Sequence, residues 1–285
     1  MKFIHVTDTH LVPPGDMLCA LEPSQRLNQV INCVNQMDGD ADFMVLTGDL
    51  SYHGMEPAYR TLRDILEPLD MPCHLMIGNH DDRESFKRIF PKTPTDPNGF
   101  VQYTVETEHG AFIMLDSVEH EQSHGILCER RLGWLEGQLQ KYADQPVYIF
   151  LHHPPFQVGI GSLDDCMLED PAPLGRLLLQ HGDVRHLFYG HVHRAIAGSW
   201  LGIPATTLPG TNHQVGLYLG PEKDMLGSHE PPAYGVCLIE KESVVIHMRH
   251  FLDESPRFLL ADPKSKSAAS AAELSPLPDK IRGHA

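Results

Sequence analysis

The chain has 285 residues, of which 41% are hydrophobic and 21% charged, a balance that fits a soluble globule of one large domain or two small ones. Its formal net charge of −16, with no Lys and Arg runs beyond pairs such as Lys87-Arg88 and Arg130-Arg131, leaves no basic stripe for a long polyanion. No nucleic-acid partner is therefore expected, and with no apolar run long enough to span a bilayer, no membrane partner either.

Short apolar runs alternate with helical stripes along the first half. Lys2 to Thr7 reads as a buried strand, and Leu27, Val30, Ile31 and Val34 repeat at helical spacing after Pro23, a residue suited to a helix start. Asp42 to Thr47 is the next strand, and Tyr59, Leu62, Leu66 and Leu69 follow one helical face before the strand Cys73 to Ile77. Val101 to Glu106 and Ala111 to Asp116 read as strands; Leu132, Leu135, Leu139 and Tyr142 form a third helical stripe, followed by the strands Val147 to Leu151 and Arg185 to Tyr189. Ile203 to Thr207, Tyr234 to Ile239 and Ser243 to Phe251 complete a strand-rich second set. A pair of stacked sheets with helices outside accounts for both halves, as a single domain over residues 1–260.

Three segments fall outside that pattern. Gln157 to Asp170 (157–170) mixes Gly, Asp and small apolar residues and is expected to overhang a crevice and shape ligand choice. Val215 to Pro232 is rich in Gly and Pro. From Ala261 onward, residues 261–285 are rich in Ser, Ala, Pro and Lys and read as a flexible tail or one laid over a neighbour.

Chemistry-bearing residues begin where five of the apolar runs stop. They are Asp8-Thr9-His10, Gly48-Asp49, Gly78-Asn79-His80-Asp81, His152-His153 and Gly190-His191-Val192-His193. Ligands collect at the carboxyl ends of strands in open α/β sheets, so segments far apart in sequence can converge on one crevice. Gly48, Gly78 and Gly190 precede the polar residues, where a sharp turn calls for a residue without a β-carbon. Seven side chains from these segments suffice to hold two divalent cations with one carboxylate shared. Two cations roughly 3.5–4 Å apart can activate a water and clamp the attacking and leaving oxygens of an in-line displacement at phosphorus. Imidazole, carboxylate and amide donors, with no Cys among them, suit a first-row metal: Mn, Fe, Zn and Co all remain open.

The order D-x-H, G-D, G-N-H-D, H and G-H-x-H resembles the calcineurin-like metallophosphoesterases from Met1 to about His213. Within that superfamily the chain looks most like the bacterial class III cyclic-nucleotide phosphodiesterases and the glycerophosphodiesterase related to them. His5-Val6-Thr7-Asp8-Thr9-His10, His152-His153-Pro154-Pro155 and Leu208-Pro209-Gly210-Thr211-Asn212-His213-Gln214 support the likeness. The resemblance implies an α/β fold, a four-layer α/β/β/α sandwich of two mixed β-sheets flanked by helices. It implies that Asp8, His10 and His193 hold one metal, that Asn79, His152 and His191 hold the other, and that Asp49 bridges them. A hydroxide shared by the ions would attack the phosphorus, with His80 beside the phosphate as charge stabiliser or leaving-group acid. Asp81 could orient that imidazole by a hydrogen bond, and His213 is a candidate second phosphate contact. In relatives the region around 214–232 helps build a cap or a subunit contact, so a homo-oligomer is one reading.

Two departures narrow the subfamily. Protein phosphatases of the superfamily follow Gly-Asp with a stretch containing a phosphate-gripping Arg, whereas this chain reads Leu50-Ser51-Tyr52-His53-Gly54. Purple acid phosphatases place a ligating Tyr where Tyr52 stands but have Gly in place of His10, so Tyr52 reads as a packing or rim residue. The expected activity is hydrolysis of a small phosphodiester, a 3′,5′-cyclic nucleotide or a glycerophosphodiester. A phosphomonoesterase or nuclease on the same centre is the alternative, and a silent nucleotide-binding protein a third reading. A diester needs fewer cationic grips than a monoester with roughly two charges.

Most of the 19 histidines need no special role, and His74, His109, His181, His186, His247 and His250 read as ordinary core or surface residues. Adjacent side chains on a strand point to opposite faces, so only one of His152 and His153 is expected at the metals; the family pattern favours His152. Six cysteines, at 19, 33, 73, 128, 166 and 237, show no close pair and read as mostly buried thiols in a reducing compartment, with an isolated disulfide left open. With a candidate ligand already at residue 8, a cleaved leader would remove part of the site; the expected location is cytoplasmic.

Overall fold

The structure is a computed structural model describing residues 1–220 and 224–255, so the expected tail at 261–285 lies outside the described residues. In chain order the first half contains β1 (Lys2–Val6), α1 (Pro23–Asp38), β2 (Phe43–Thr47), α2 (Glu56–Leu66), β3 (Cys73–Met76), α3 (Arg83–Ile89), β4 (Tyr103–Thr107) and β5 (Gly110–Met114). The second contains α4 (Glu129–Lys141), β6 (Val147–Leu151), α5 (Gly161–Asp164), α6 (Ala172–His181), β7 (Val184–Tyr189), β8 (Ile196–Trp200) and β9 (Ile203–Thr207). A two-residue pair, β10 (Gln214–Val215) and β11 (Gly227–Ser228), precedes β12 (Tyr234–Glu240) and β13 (Ser243–Arg249).

Two mixed sheets form the body. The first has the order β13-β12-β1-β2-β3, with β1, β2 and β3 parallel and β12 antiparallel to both its neighbours. The second has the order β4-β5-β6-β7-β9-β8, parallel from β5 through β9 and closed at each edge by an antiparallel partner. Strands β5 to β7 are covered on both faces, which is why they read as continuous apolar runs. Phe112, Met114, Tyr148, Phe150 and Phe188 join the core shared with the first sheet, while Ala111, Ile113, Val147, Ile149, Leu187 and Tyr189 pack with Leu135 and Leu139 of α4 and Leu174 and Leu178 of α6.

Phe3 stands at the centre of the space between the sheets. Its ring lies 5.4–5.9 Å from those of Phe43, Phe112, Phe150 and Phe188, and each fully buried ring of this kind contributes on the order of 2–3 kcal/mol. On the far side of the first sheet, α1 begins at Pro23 and buries Leu27, Val30, Ile31 and Val34, as the stripe predicts. Helix α2 is rotated slightly from expectation: Ala58, Tyr59, Leu62 and Ile65 are its buried face, and Leu66 is only partly covered. Helices therefore flank the stacked sheets in the expected α/β/β/α order.

Two histidines share the inter-sheet core. His5 meets Thr47 Oγ1 through Nε2 at 2.9 Å, and His186 meets Thr206 Oγ1 at 3.0 Å, leaving each Nδ1 without a partner. Burial, then the neighbouring His186, pushes His5 down to about 3, and burial pushes His186 down to about 4. Both are neutral when folded and gain a proton on unfolding below about 6.5, so the stability they permit is present above that pH and is lost as pH falls toward 4. Chemical denaturation should find the fold about 4 kcal/mol less stable at pH 5 than at pH 7 from this pair, roughly 2 per ring. His186→Gln, which cannot ionise, should remove about half of that difference; an unchanged difference would acquit His186.

Segment 157–170 is not a free overhang. It contains α5, buries Ile160, Leu163 and Leu168, and is bonded to its surroundings through Leu168 N–H to Pro154 O and Glu169 N–H to Gly125 O. None of the six cysteines is paired, and only Cys237 is fully buried, so the expectation of mostly buried thiols fails at exposed Cys19 in particular. Among the described residues no helix is long and apolar enough to cross a membrane.

Candidate metal centre

The five polar segments leave the carboxyl ends of β1, β2, β3, β6 and β7, and the two sheets bring all seven expected ligands together. Asp8, His10, Asp49 and His193 offer donor atoms within 4.8 Å of one another. His193 Nε2 lies 2.8 Å from His10 Nε2 and 3.5 Å from Asp8 Oδ1. Beside this group, Asn79 Oδ1 lies 3.2 Å from His152 Nε2 and 2.9 Å from His191 Nδ1. Asp49 stands between the two groups: Oδ2 is 3.4 Å from His10 Nε2 and Oδ1 is 3.3 Å from His152 Nε2.

The backbone is strained where these side chains leave it. Asp8, His10, Asp49, His191 and His193 have φ of 53°, 46°, 48°, 71° and 48°, a left-handed region that costs a non-glycine residue about 1–3 kcal/mol. Bonds such as His10 N–H to Asp49 O (2.8 Å) and His191 N–H to the Asp8 carboxylate (3.0 Å) hold the turns in place. Gly48 needs its freedom, at φ 97°. Gly78 and Gly190 do not: they lack positive φ, and it is space that excludes a β-carbon, which would strike Asp49 at the first and Thr7 Oγ1 at the second.

Hydrogen bonds around the centre fix which ring nitrogens face inward. His152 Nδ1 lies 2.8 Å from Thr47 O and must donate to it, so in the neutral ring Nε2 aims a lone pair at the oxygens of Asn79 and Asp49. His193 Nδ1 likewise donates to His213 O at 2.9 Å, which turns its Nε2 lone pair toward Asp8. Acceptors that face acceptors in a buried site call for a cation between them, and the donor set fits a first-row divalent ion at each group. Without metals, protons take part of that role. Burial opposes charge on His152, yet Asp49 and its hydrogen bond outweigh it and hold the imidazole up at about 9. Burial would raise Asp49, but His152 and His10 hold its carboxyl well below the usual range. His191 is pushed down to about 3, by burial and then by His152, which keeps it in the neutral form a metal accepts.

The remaining expected residues divide. His80 Nδ1 meets Tyr52 O at 2.9 Å, and its ring stacks on Tyr52 at 4.8 Å and stands 4.8 Å from His10, so Nε2 is left for a ligand. His213 also borders the centre, its ring 4.8 Å from His193 and 5.3 Å from His10; burial and then His193 push it down to about 4. Asp81 is a correction. It makes no bond to His80; its carboxylate accepts from Leu50 N–H, Ser51 N–H, Gly78 N–H and Tyr59 O–H, pinning the turns after β2 and β3. The chain turns between residues 80 and 81, so the two side chains diverge. Tyr52 is the residue that holds His80, with its carbonyl and its ring, a role its letter alone could not suggest. His153 lies close by as well: it offers a ring nitrogen within 4.8 Å of those of His152 and His191. Strand alternation fails here because β6 ends at Leu151 and the chain bends through both histidines.

Buried carboxylates and imidazoles with a half-buried amide, at the strand ends of two stacked mixed sheets, define a metal-dependent phosphoesterase. The chain belongs to the calcineurin-like phosphoesterase family, whose profile matches residues 1–195. It is 40% identical, over 92% of its own length and 97% of the relative's, to a probable cyclic nucleotide phosphodiesterase of Rhodopseudomonas palustris. It is 32% identical, over 82% of its length and 86% of the relative's, to a probable glycerophosphodiester phosphodiesterase of Arcobacter nitrofigilis. Among solved structures, a dimetal phosphatase from Danio rerio superposes with a TM-score of 0.66 over 88% of this chain and 96% of that one; at 15% identity the likeness is one of fold.

Proposed function

We propose that the protein is a dinuclear-metal phosphodiesterase that hydrolyses a small diester, a 3′,5′-cyclic nucleotide or a glycerophosphodiester, by in-line attack of an activated water. The observation that carries this reading is Asp49, whose two oxygens address two separate donor groups. Asp8, His10 and His193 would hold one ion, and Asn79, His152 and His191 the other. When bound, the ions would supply an activated water and positive charge at the phosphoryl oxygens. His80 Nε2 is placed to donate to a phosphoryl oxygen or to return a proton to the leaving alkoxide, with Tyr52 fixing its ring. His213 would make a second contact to the phosphate. Relatives named for cyclic nucleotides and for glycerophosphodiesters support a diester of that size. Among the described residues, the arginines beside the ligand segments are occupied elsewhere, Arg83 by Asp116 and Arg194 by Glu230, which disfavours a guanidinium grip on a doubly charged monoester.

Metal-stripped protein reloaded separately with Mn, Fe, Zn or Co should be compared on cyclic AMP, cyclic GMP, glycerophosphodiesters, a linear oligonucleotide and an aryl phosphate by kcat/KM. One small diester should exceed the monoester by at least about tenfold, some 1.4 kcal/mol. A monoester or oligonucleotide in first place would overturn the substrate class.

A further inference from the structure

We propose that Ser228 and His229 recognise the alcohol arm of the diester and that an Arg194–Glu230 clamp holds them in place; the inference rests on the diesterase reading above. Beside the metal centre lies a cavity of about 350 Å³ lined by Cys19, His213, Gly227, Ser228 and His229. His213 is its inner wall, and that ring stands 4.8 Å from His193 and 5.3 Å from His10. The cavity therefore adjoins the first ion position, within reach of a group esterified to a phosphate held there. Its size falls at the small end of ligand clefts, roughly 300–1,000 Å³, and exceeds what a three-carbon alcohol fills.

Among the described residues no carboxylate, ammonium or guanidinium lines the cavity, so its walls suit a neutral arm. They offer hydrogen bonds instead. His229 Nε2–H donates to Cys19 O at 2.8 Å, which leaves Nδ1 as an acceptor in the neutral ring. Ser228 Oγ accepts from Glu230 N–H at 3.1 Å and keeps its own O–H to donate. A donor and an acceptor side by side match the hydroxyls and ring nitrogens of a nucleoside.

That wall is fastened on both sides. The turn at residues 18–21 closes through Leu18 N–H to Leu21 O (2.9 Å) and Leu21 N–H to Leu18 O (3.0 Å). Asn212 Nδ2 donates to Leu18 O at 3.2 Å and His229 to Cys19 O, so two bonds join the turn to the segment that carries β10 and β11. Arg194 ties the same segment to the metal centre. It follows His193 directly, and its Nη1 donates to Val215 O of β10 at 2.6 Å and to Glu230 Oε2, just beyond β11, at 2.8 Å. One guanidinium thus spans both strands and sets where Ser228 and His229 stand relative to His193. Arg194 is a positioning residue, acting on the substrate only through that wall.

Steady-state kinetics of the metal-loaded protein on cyclic AMP and on methyl nitrophenyl phosphate, a diester with no hydroxyl on either arm, test this. The wild type should turn over both. Ser228→Ala and His229→Ala should each raise KM for cyclic AMP roughly 5- to 10-fold, carried by KM and not by kcat, and lower the preference for cyclic AMP over the methyl ester by the same factor. Arg194→Ala should raise that KM by about 10-fold, Glu230→Ala should repeat the effect, and Arg194→Lys, whose ammonium can still meet Glu230, should recover most of it. An unchanged preference in Ser228→Ala or His229→Ala would strike that residue from recognition while leaving the diesterase reading intact. A wild type active on the methyl ester but not on cyclic AMP would overturn the subsite as a whole, and one active on neither would sink the diesterase reading with it. If Arg194→Ala loses metal or fails to fold, Glu230→Ala decides, and an unchanged KM in that variant removes the clamp.

Discussion

Asp49→Asn should lower kcat/KM on the preferred diester by about 10³-fold or more, some 4 kcal/mol of transition-state stabilisation, because it removes the one charge both ions would share. On the dinuclear reading, one ion should leave before the other. Oδ1 accepts the His80 N–H at 2.9 Å, so the amide of the variant keeps its oxygen there and turns its NH₂ toward His10, where Oδ2 lay 3.4 Å from Nε2. A donor now faces the first position, and the ion between Asp8, His10 and His193 should be lost before the one at Asn79. Metal content measured beside the rate checks both parts. Two tightly held ions with a rate within tenfold of the wild type would remove Asp49 from its bridging role.

His80→Ala should lower kcat by about 10²- to 10³-fold with both ions retained, since His80 ligates nothing in this reading. Leaving-group dependence separates its two conceivable tasks. If the imidazole returns a proton to the departing alkoxide, a glycerophosphodiester or a cyclic nucleotide should suffer far more than a bis(nitrophenyl) ester, whose phenolate leaves unaided. Equal losses would assign it to the phosphoryl oxygens instead. Tyr52→Phe should preserve the rate in either case, because Tyr52 holds His80 by its carbonyl and its ring face, neither of which needs the hydroxyl.

Much of this was legible in the letters because the relevant physics is local. Runs such as Val147 to Leu151 are apolar on both faces because the strand is covered on both faces, and each ends where a polar ligand begins. The stripes at Leu27 to Val34 and Leu132 to Tyr142 likewise mark buried helical faces. Strand β8 escaped notice for the same reason in reverse: Ala197, Gly198 and Ser199 are exposed at the sheet edge and carry no apolar signal. The β10–β11 pair is too short to leave a pattern.

By itself, then, the sequence determined the two-sheet sandwich, the five strand ends and the identity of the seven side chains that meet there, since strand period, turn glycines and donor chemistry are properties of neighbouring residues. Only the tertiary structure decided direction. It turned Asp81 away from His80 and onto three backbone N–H groups, turned His153 inward beside His152, and packed segment 157–170 down. Those outcomes depend on φ at a bend and on which distant segment fills the space behind a ring. Asp8, His10, Asp49, His191 and His193 adopt a backbone conformation their own side chains disfavour, and no local preference predicts that. Bonds between distant segments impose it, within the first sheet from His10 N–H to Asp49 O and between the sheets from His191 N–H to Asp8.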